Sequence, residues 1–157
     1  MISLNRIVVT TDLSPLSECA VAAACELAAK FDAELTILHV VVYPIAQFVE
    51  QCQVDYGINI ADCERQMNEV ALTALGHMPT APITDATKVK RAIRMGFAVP
   101  EILSFVKTTN ADLLVTGTHG RSGLAHVLMG SVADLLVRSS TCPVLTVRDP
   151  EHKFVSL

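Results

Sequence analysis

Short runs of β-branched and other apolar residues alternate with longer helical patterns along most of the chain. This alternation is typical of repeated βαβ units, which pack into a parallel sheet. The predicted fold class is therefore α/β, an open five-stranded parallel sheet with helices on both faces, in one domain spanning residues 1–157. The five predicted strands are Arg6 to Thr11, Glu34 to Val41, about Thr87 to Arg94, Asp112 to Gly117 and Pro143 to Arg148.

Four helices are predicted between these strands. Ser14 suits the N-cap of the first helix and Pro15 its first turn, and this helix should end near Phe31. The other three are expected from about Ile60 to Met78, after Gly96, and from about Gly130. The predicted apolar faces comprise Leu16, Ala20, Ala23, Ala24, Leu27 and Ala28 in the first helix, Met67, Val70, Ala71 and Ala74 in the second, Ile102, Leu103 and Val106 in the third, and Val132, Leu135 and Leu136 in the fourth.

Composition excludes several classes of protein. The chain has 157 residues, of which 51% are hydrophobic and 18% charged, so a single core is expected and intrinsic disorder is excluded. A net charge of −4 gives no general attraction to nucleic acid or to an anionic membrane. The apolar stretches are far shorter than the roughly 20 residues of a membrane-spanning helix. Neither a nucleic-acid partner nor a membrane partner is expected.

The cysteines and the first residues of the chain bear on its location. The five cysteines are odd in number and include no C-x-x-C pair, as is typical of thiols in a reducing compartment. The first residues lack the order of basic, apolar and small residues that marks a signal peptide. A cytoplasmic location is therefore expected.

One segment, from Val42 to Asn59, fits neither a helix nor a strand. Loops of that length in compact domains are usually functional. We expect this segment to form a lid or a partner surface, and its conformation is left open.

Glycines cluster directly after the fourth predicted strand. Four of the seven lie between Gly117 and Gly130, in the stretch GTHGRSGLAHVLMGS. Glycine lets backbone N–H groups approach a ligand closely, and the following helix adds free amides and the positive end of its dipole. This pattern predicts a phosphate-binding loop. A Rossmann dinucleotide site and a P-loop are both disfavoured, because Thr11-Asp12-Leu13-Ser14 after the first strand contains no glycine and no G-x-x-x-x-G-K-[ST] exists.

The position of the loop in the sheet follows from how such a sheet is wound. In an open sheet that is covered on both faces, ligands bind where the winding direction reverses, at the carboxyl ends of the strands. If the fourth and fifth strands lie on the far side of the first from the second and third, that reversal falls between strands one and four. Asp12 and Gly117 would then lie side by side.

Together these residues resemble the ATP-binding branch of the universal stress protein family. The resemblance rests on Gly117-x2-Gly120-x9-Gly130-Ser131, with Asp12 after the first strand and His39-Val40 in the second, and it covers nearly the whole chain. It implies the strand order 3-2-1-4-5, the fold also called adenine nucleotide alpha hydrolase-like. It also implies ATP as the ligand, with Mg²⁺ held mainly by the phosphates, and a homodimer formed through the strand from Pro143 to Arg148.

The resemblance further implies a role for each site residue. Asp12 would face the ribose and adenine, with Thr11 beside it, and the backbone of Val40 would bond the base. The first phosphates would lie near Gly117, His119 and Gly120, with charge added by Arg121. The outer phosphates would receive amides and a hydroxyl from Gly130, Ser131 and Val132.

Several of these residues are open to a structural interpretation. Asp12 is either a helix-cap carboxylate or a ribose ligand, and the ligand is favoured because the phosphate site would lie opposite it. His119 and His126 without a nearby carboxylate or cysteine pattern do not define a metal site. The basic run Lys88, Lys90, Arg91 and Arg94 is better explained as protection of an edge strand than as a nucleic-acid patch.

Four function classes remain from the sequence. The leading hypothesis is an ATP-binding stress protein that acts as a nucleotide-dependent regulatory module. A phosphotransfer receiver domain would want paired carboxylates after the first strand, an aspartate ending the third and a lysine after the fifth. It is disfavoured, because Asp12 follows Thr10-Thr11 and the fifth strand ends Thr146-Val147-Arg148-Asp149. An interaction protein of the same fold would bind no nucleotide. A true hydrolase would depend on His119 or Ser131, and at most slow ATP hydrolysis is expected, since no convincing base other than His119 is present in the loop.

Overall fold

The computed structural model describes residues 3–42, 59–118 and 130–148. In that part of the chain, strands and helices alternate as the sequence predicts. The elements in chain order are β1 (Arg6–Thr11), α1 (Pro15–Phe31), β2 (Glu34–Val41), α2 (Ile60–Gly76), β3 (Val89–Met95), α3 (Ala98–Thr109), β4 (Leu113–Gly117), α4 (Ser131–Ser139) and β5 (Val144–Val147), with a short 3-10 turn at Ala86–Lys88 before β3.

The five strands form one parallel sheet in the order β3-β2-β1-β4-β5, which confirms the predicted fold class. The winding direction reverses between β1 and β4. β1 pairs with β2 from Arg6 opposite Glu34 as far as Thr11 opposite His39. On its other side β1 pairs with β4 only as far as Val9 opposite Val115, so these two strands separate two residues earlier.

The core has two layers because successive side chains of a strand point to opposite faces of the sheet. On one face, Ile7 and Val9 of β1 pack with Leu35 and Ile37 of β2 against α1 and Leu75 of α2. On the other face, Val8, Leu38 and Leu114 pack beneath α3 and α4, with Ile102, Phe105, Val106 and Leu136. Both faces of the central strands are thus buried, as is usual for a parallel sheet.

Helices α2 and α4 bury fewer apolar residues than the sequence predicts. In α2 the buried residues are Ala71 and Leu75, one turn apart, whereas Val70 is 69% exposed and Met67 is 37% exposed. In α4 the buried residues are Ala133 and Leu136. The predicted burial of Val132 and Leu135 is wrong, since 39% and 47% of their surface is exposed. Each helix touches the sheet along a narrow stripe, and the neighbouring apolar side chains are turned away from it.

Helix α1 spans the predicted residues, and its stripe of small residues is buried at Ala20, Ala24 and Ala28. Ser14 is at the N-cap position, but its hydroxyl does not cap the helix. Within the described residues, no helix has the length and apolar character needed to span a membrane.

The start of β3 differs from the prediction. Thr87 and Lys88 belong to the 3-10 turn, because the Asp85 carboxylate accepts the N–H of Thr87 at 2.9 Å and holds the chain in a cap. The strand therefore begins at Val89 rather than at Thr87.

The basic residues of this edge all have partners within the chain. Lys88 pairs with Asp32, Lys90 Nζ lies 2.8 Å from Glu34 Oε2, Arg91 Nε donates to the carbonyl of Leu75 at 2.8 Å, and Arg94 lies over the ring of Phe105. The hydrogen bond from Lys90, together with its charge, holds the pKa of Glu34 below its usual range. The run lies on the edge strand β3 and in the turn before it, so its edge position agrees with the structural interpretation, while protection of that edge stays a prediction.

Candidate functional site

A cleft of about 360 Å³ opens where β1 and β4 separate at their carboxyl ends. Its floor is formed by these strand ends, and its walls are β2 on one side and the start of α4 on the other. Cavities of about 300–1,000 Å³ are typical of small-molecule sites, and in open α/β sheets such sites lie at this reversal. The cleft is therefore the first candidate for a binding site.

The cleft brings together every site residue that the sequence predicts within the described part of the chain. These residues are Thr11, Asp12, Val40, Gly117, Gly130, Ser131 and Val132. The other three predicted residues, His119, Gly120 and Arg121, lie outside the described residues, as does most of the segment from Val42 to Asn59.

The loop from β1 to α1 is held by its own hydrogen bonds. The N–H of Leu13 donates to Thr11 Oγ1 at 3.0 Å, and the N–H of Ser14 donates to Asp12 Oδ1 at 3.0 Å. The hydroxyl of Ser17 uses its one hydrogen to donate to the carbonyl of Ser14. In the 2.8 Å contact between Thr11 Oγ1 and Ser17 Oγ, Thr11 is therefore the donor. The Asp12 carboxylate thus stabilises a tight turn before α1, which is a structural role for this residue.

This turn forces Leu13 into the left-handed region, with φ of +64°. A leucine in that conformation costs on the order of 1 kcal/mol or more and persists only where surrounding contacts impose it. Such local strain is found most often beside binding sites. Leu13 follows Asp12, which lines the cleft, and it packs against the core layer beneath α1.

His39 ties this loop to the neighbouring strand. The side chain is buried, and its Nδ1 lies 2.8 Å from the carbonyl oxygen of Thr11. A carbonyl only accepts, so Nδ1 carries the hydrogen. The ring also lines a second cavity, of about 530 Å³, on the α2 side of β2. His39 therefore fixes the end of β1 from the face opposite the cleft.

The backbone of Val40 is directed towards the cleft. In β2 the N–H of Glu34 donates to Asn5 on the β1 side, and alternate residues of a strand direct their backbone groups to the same side. The carbonyl of Val41 accepts from Gly96 on the β3 side, which agrees with this alternation. Val40 therefore faces β1, but β1 ends opposite His39. Its carbonyl lies one step beyond the last paired residue.

The start of α4 supplies amides to the opposite wall. Gly130 is the N-cap, and the N–H of Asp134 bonds back to its carbonyl at 3.0 Å. The N–H groups of Ser131, Val132 and Ala133 precede that first helical bond and so have no partner within the helix. All three residues line the cleft. Amides at a helix N-terminus favour an anionic ligand.

Charged side chains contribute little to the described part of the cleft. Asp12 is the one charged residue among the described residues that line it. An anion is therefore favoured at the α4 end by amides, while a hydroxyl or a cation is favoured near Asp12. No group of three potential metal-ligating side chains occurs in the regions that the structure describes.

The structure adds cleft residues that the sequence does not single out. Leu38, Ala98 and Ile102 form an apolar wall beside Val40, and Thr10 and Thr116 lie between that wall and α4. Thr10 and Thr116 resemble any threonine in a β-strand by sequence. Their alternation with Val8 and Leu114 on the α3 face is the signal that could have identified them.

An open parallel sheet with a cleft at its point of reversal defines a doubly wound α/β domain of the kind that binds small ligands there. The comparison with known families makes this assignment specific. Residues 3–148 match the Universal stress protein family, and the chain belongs to that family.

Curated relatives agree with this assignment. Universal stress protein MJ0531 of Methanocaldococcus jannaschii is 32% identical over 149 residues, which cover 95% of this chain and 85% of that protein. Universal stress protein YxiE of Bacillus subtilis is 32% identical over 160 residues, which cover 92% of this chain and 99% of that protein.

Solved structures share the fold. The hypothetical protein MJ0577 superposes with a TM-score of 0.79 at 24% identity, over 96% of this chain and 99% of that chain. A universal stress protein in complex with cAMP gives a TM-score of 0.67 at 26% identity, over 93% and 98%. A universal stress protein from Archaeoglobus fulgidus in complex with dAMP gives 0.56 at 16% identity, over 94% and 100%.

Proposed function

We propose that this protein binds an adenine nucleotide, ATP in particular, in the cleft between β1 and β4 and acts as a nucleotide-dependent regulatory module. The observation that carries the proposal is the convergence of seven predicted site residues on one cleft, with three helix amides at one end. Two structural neighbours in complex with cAMP and dAMP support an adenine nucleotide as the ligand.

The base is proposed to lie against the apolar wall of Leu38, Val40 and Ile102. The carbonyl of Val40, directed into the cleft, accepts a hydrogen bond from the exocyclic amine of adenine. Guanine presents a carbonyl oxygen at the equivalent position, and two acceptors facing each other repel. This contact favours ATP over GTP.

The phosphates are proposed to lie at the start of α4, where Ser131 offers a hydroxyl and an amide, and Val132 adds a further amide. The glycine Gly117 at the end of β4 lies beside them in the cleft. A Mg²⁺ ion would be held mainly by the phosphates, since this ion usually keeps its waters and few protein ligands. His119, Gly120 and Arg121 remain proposed phosphate contacts.

Slow hydrolysis is the most that is proposed by way of catalysis. Phosphoryl transfer requires a positioned base and charge neutralisation at the transferred phosphate. Among the described residues of the cleft, Asp12 is the one carboxylate, and its Oδ1 already accepts two hydrogen bonds from Ser14. We propose a regulatory role rather than turnover for the bound nucleotide.

Thermal unfolding with and without Mg-ATP tests the proposal. A ligand at one hundred times its Kd stabilises the native state by about 2.7 kcal/mol. For a domain of this size that corresponds to a rise in Tm of roughly 5–10 °C. The same concentrations of AMP, cAMP and GTP define the preferred nucleotide, and GTP is expected to give the smaller shift.

Gly117→Val places a branched side chain in the cleft and is expected to abolish the rise in Tm. Gly76→Val is the matched control, because Gly76 ends α2 and a Cβ there meets no atom within 4 Å. The absence of any shift at millimolar ATP in folded wild-type protein would favour an interaction protein that binds no nucleotide.

Two further properties of the expected module remain proposals. The homodimer is proposed to form through the outer edge of β5, which pairs with no other strand among the described residues and where Leu145 is 38% exposed. A cytoplasmic location is proposed from the sequence.

A further inference from the structure

Two buried threonines face each other on the floor of the cleft. Thr10 Oγ1 of β1 donates to Thr116 Oγ1 of β4 at 2.9 Å, and the two residues are 8% and 4% exposed. Both side chains lie on the α3 face, because Val8 and Leu114, two residues earlier in the same strands, belong to the core beneath α3. The pair spans the point at which the two strands separate.

The pair has hydrogen-bonding capacity that the described residues leave unused. Each hydroxyl has one donor and can accept two bonds. The hydrogen of Thr10 goes to Thr116, and that of Thr116 reaches the Gly117 carbonyl only at 3.4 Å, beyond the usual range. Within the part of the chain that the structure describes, no donor reaches Thr10 Oγ1. A ligand group that donates to Thr10 and accepts from Thr116 would complete the pair.

The place of the pair within the cleft indicates which group that is. The apolar wall of Leu38 and Ile102 lies on one side, and the amides at the start of α4 lie on the other. A nucleotide lying along this path has its base at the wall, its phosphates at α4 and its sugar over the two threonines. Phosphate oxygens only accept hydrogen bonds, whereas a sugar hydroxyl both donates and accepts.

The geometry points to the Thr10–Thr116 pair as a contact for a ribose hydroxyl, and so as a determinant of specificity for ribonucleotides over deoxyribonucleotides. This inference rests on the nucleotide site proposed above. Asp12, which the family resemblance places near the ribose, belongs to the loop after β1, whereas the two threonines lie within strands β1 and β4. The pair is therefore an additional contact.

Replacement of both threonines by valine separates recognition from folding. Valine has nearly the shape of threonine, and a pair of methyl groups leaves no buried hydroxyl without a partner. The single change Thr116→Val leaves the hydrogen of Thr10 without its acceptor. The single variant is therefore expected to unfold at a lower urea concentration than the double variant Thr10→Val/Thr116→Val. Thr109→Val, which removes a hydroxyl from the far end of α3, is the control.

The test is calorimetric titration of ATP, 2′-deoxyATP and 3′-deoxyATP into the wild-type protein, the double variant and the control. One neutral hydrogen bond corresponds to about a fivefold change in Kd, so the two bonds between the pair and one ribose hydroxyl correspond to at least about a fivefold change. We expect the wild-type protein and Thr109→Val to bind one deoxynucleotide at least about fivefold more weakly than ATP. The double variant is expected to lose this preference, apart from any part that Asp12 contributes equally in all three proteins.

Each other outcome has a defined meaning. A double variant that keeps the full ribose preference would overturn the inference and assign the preference to other residues. A wild-type protein that binds all three nucleotides equally would also overturn it, because there would be no preference to explain. Both of these outcomes leave the nucleotide site intact. If neither ATP nor its analogues bind the wild-type protein, the proposed function fails, and this inference fails with it.

Discussion

Ser131→Pro is the substitution that most directly tests the role of the α4 amides. Ser131 is the first residue of α4, and its predecessor Gly130 has φ of −65° and ψ of 154°, a conformation that suits the residue before a proline. Proline is well tolerated at the first helical position, as Pro15 at the start of α1 illustrates. The change therefore removes the Ser131 N–H and hydroxyl while the helix is retained.

The size of the effect follows from the bond that is lost. A hydrogen bond from an amide to a charged phosphate contributes about 1.5–3 kcal/mol, which corresponds to a roughly ten- to hundredfold change in Kd. Ser131→Ala is the matched control, because it removes the hydroxyl and keeps the amide. Ser131→Pro is expected to bind Mg-ATP at least about tenfold more weakly than Ser131→Ala.

Calorimetric titration of Mg-ATP measures the two affinities, and urea unfolding checks that both variants are folded. Both should unfold within about 0.5 kcal/mol of the wild-type protein, since the position is exposed and proline suits it. Equal affinities for Ser131→Pro and Ser131→Ala, in folded proteins, would refute the assignment of the phosphates to the α4 amides.

Three other predictions concern the buried His39, the edge strand β5 and the buried thiol of Cys25. His39→Asn keeps a donor near the Nδ1 position, whereas the amide of His39→Gln lies further out. The Asn variant should therefore unfold at a higher urea concentration than the Gln variant. If the Gln variant unfolds at the higher concentration, the hydrogen bond from His39 to the Thr11 carbonyl is ruled out. Thr146→Pro removes an outward N–H of β5 and should convert the proposed dimer to a monomer in sedimentation. Thr146→Val keeps that N–H and should not. A dimer that survives Thr146→Pro must use another surface. Burial raises the pKa of the Cys25 thiol, so iodoacetamide followed by mass spectrometry should modify exposed Cys63 first, and equal rates would contradict that burial.

The choice of Thr146 follows from the hydrogen bonds of its neighbours. The carbonyls of Pro143 and Val147 accept from residues on the β4 side, at 3.0 and 2.9 Å. Alternate residues of a strand face the same side, so Thr146 directs its backbone groups away from β4, to the outer edge of the described sheet. Proline at an edge position leaves the ladder to β4 intact.

Much of the fold could be predicted because each element has a local signal. β1 and β2 have the predicted bounds, since their apolar runs are bounded by polar and turn-forming residues. The strand order required more than periodicity, and it came from the family resemblance together with the winding rule. The exposed Val70 and Leu135 show where periodicity fails: it marks residues able to be buried, whereas the narrow contact between helix and sheet decides which ones are.

The candidate site also contains some features that could be predicted from the sequence and others that could not. Asp12 and Gly117 could be placed together from sequence, because parallel strands bring their carboxyl ends to one edge of the sheet. Alternation could assign Thr10 and Thr116 to the α3 face, but the contact between their hydroxyls could not be predicted, because the two residues are 106 positions apart in sequence. The strained conformation of Leu13 could not be predicted from the sequence either, since its φ is imposed by hydrogen bonds within the turn and not by the residue itself.

The proposed nucleotide site and the proposed dimer edge meet at Thr118. Its N–H donates to the carbonyl of Val147 in β5 at 2.9 Å, and its carbonyl accepts from the N–H of Gly130 at 2.7 Å. One peptide segment therefore joins the start of α4 to the end of the edge strand. A ligand that drew α4 towards the cleft would act on β5 through these two bonds, and this is the route expected for the proposed regulation.

Thermodynamic linkage makes this route measurable. If ATP tightens the dimer by some factor per site, dimerisation must tighten ATP binding by the same factor. Sedimentation equilibrium with and without Mg-ATP gives the first quantity, and titrations of the proposed wild-type dimer and of the expected Thr146→Pro monomer give the second. Equal factors above one would establish coupling between the two sites. A dimer affinity that does not respond to ATP would show that Thr118 joins the two regions without transmitting a signal, and the regulatory output would have to arise elsewhere on the surface.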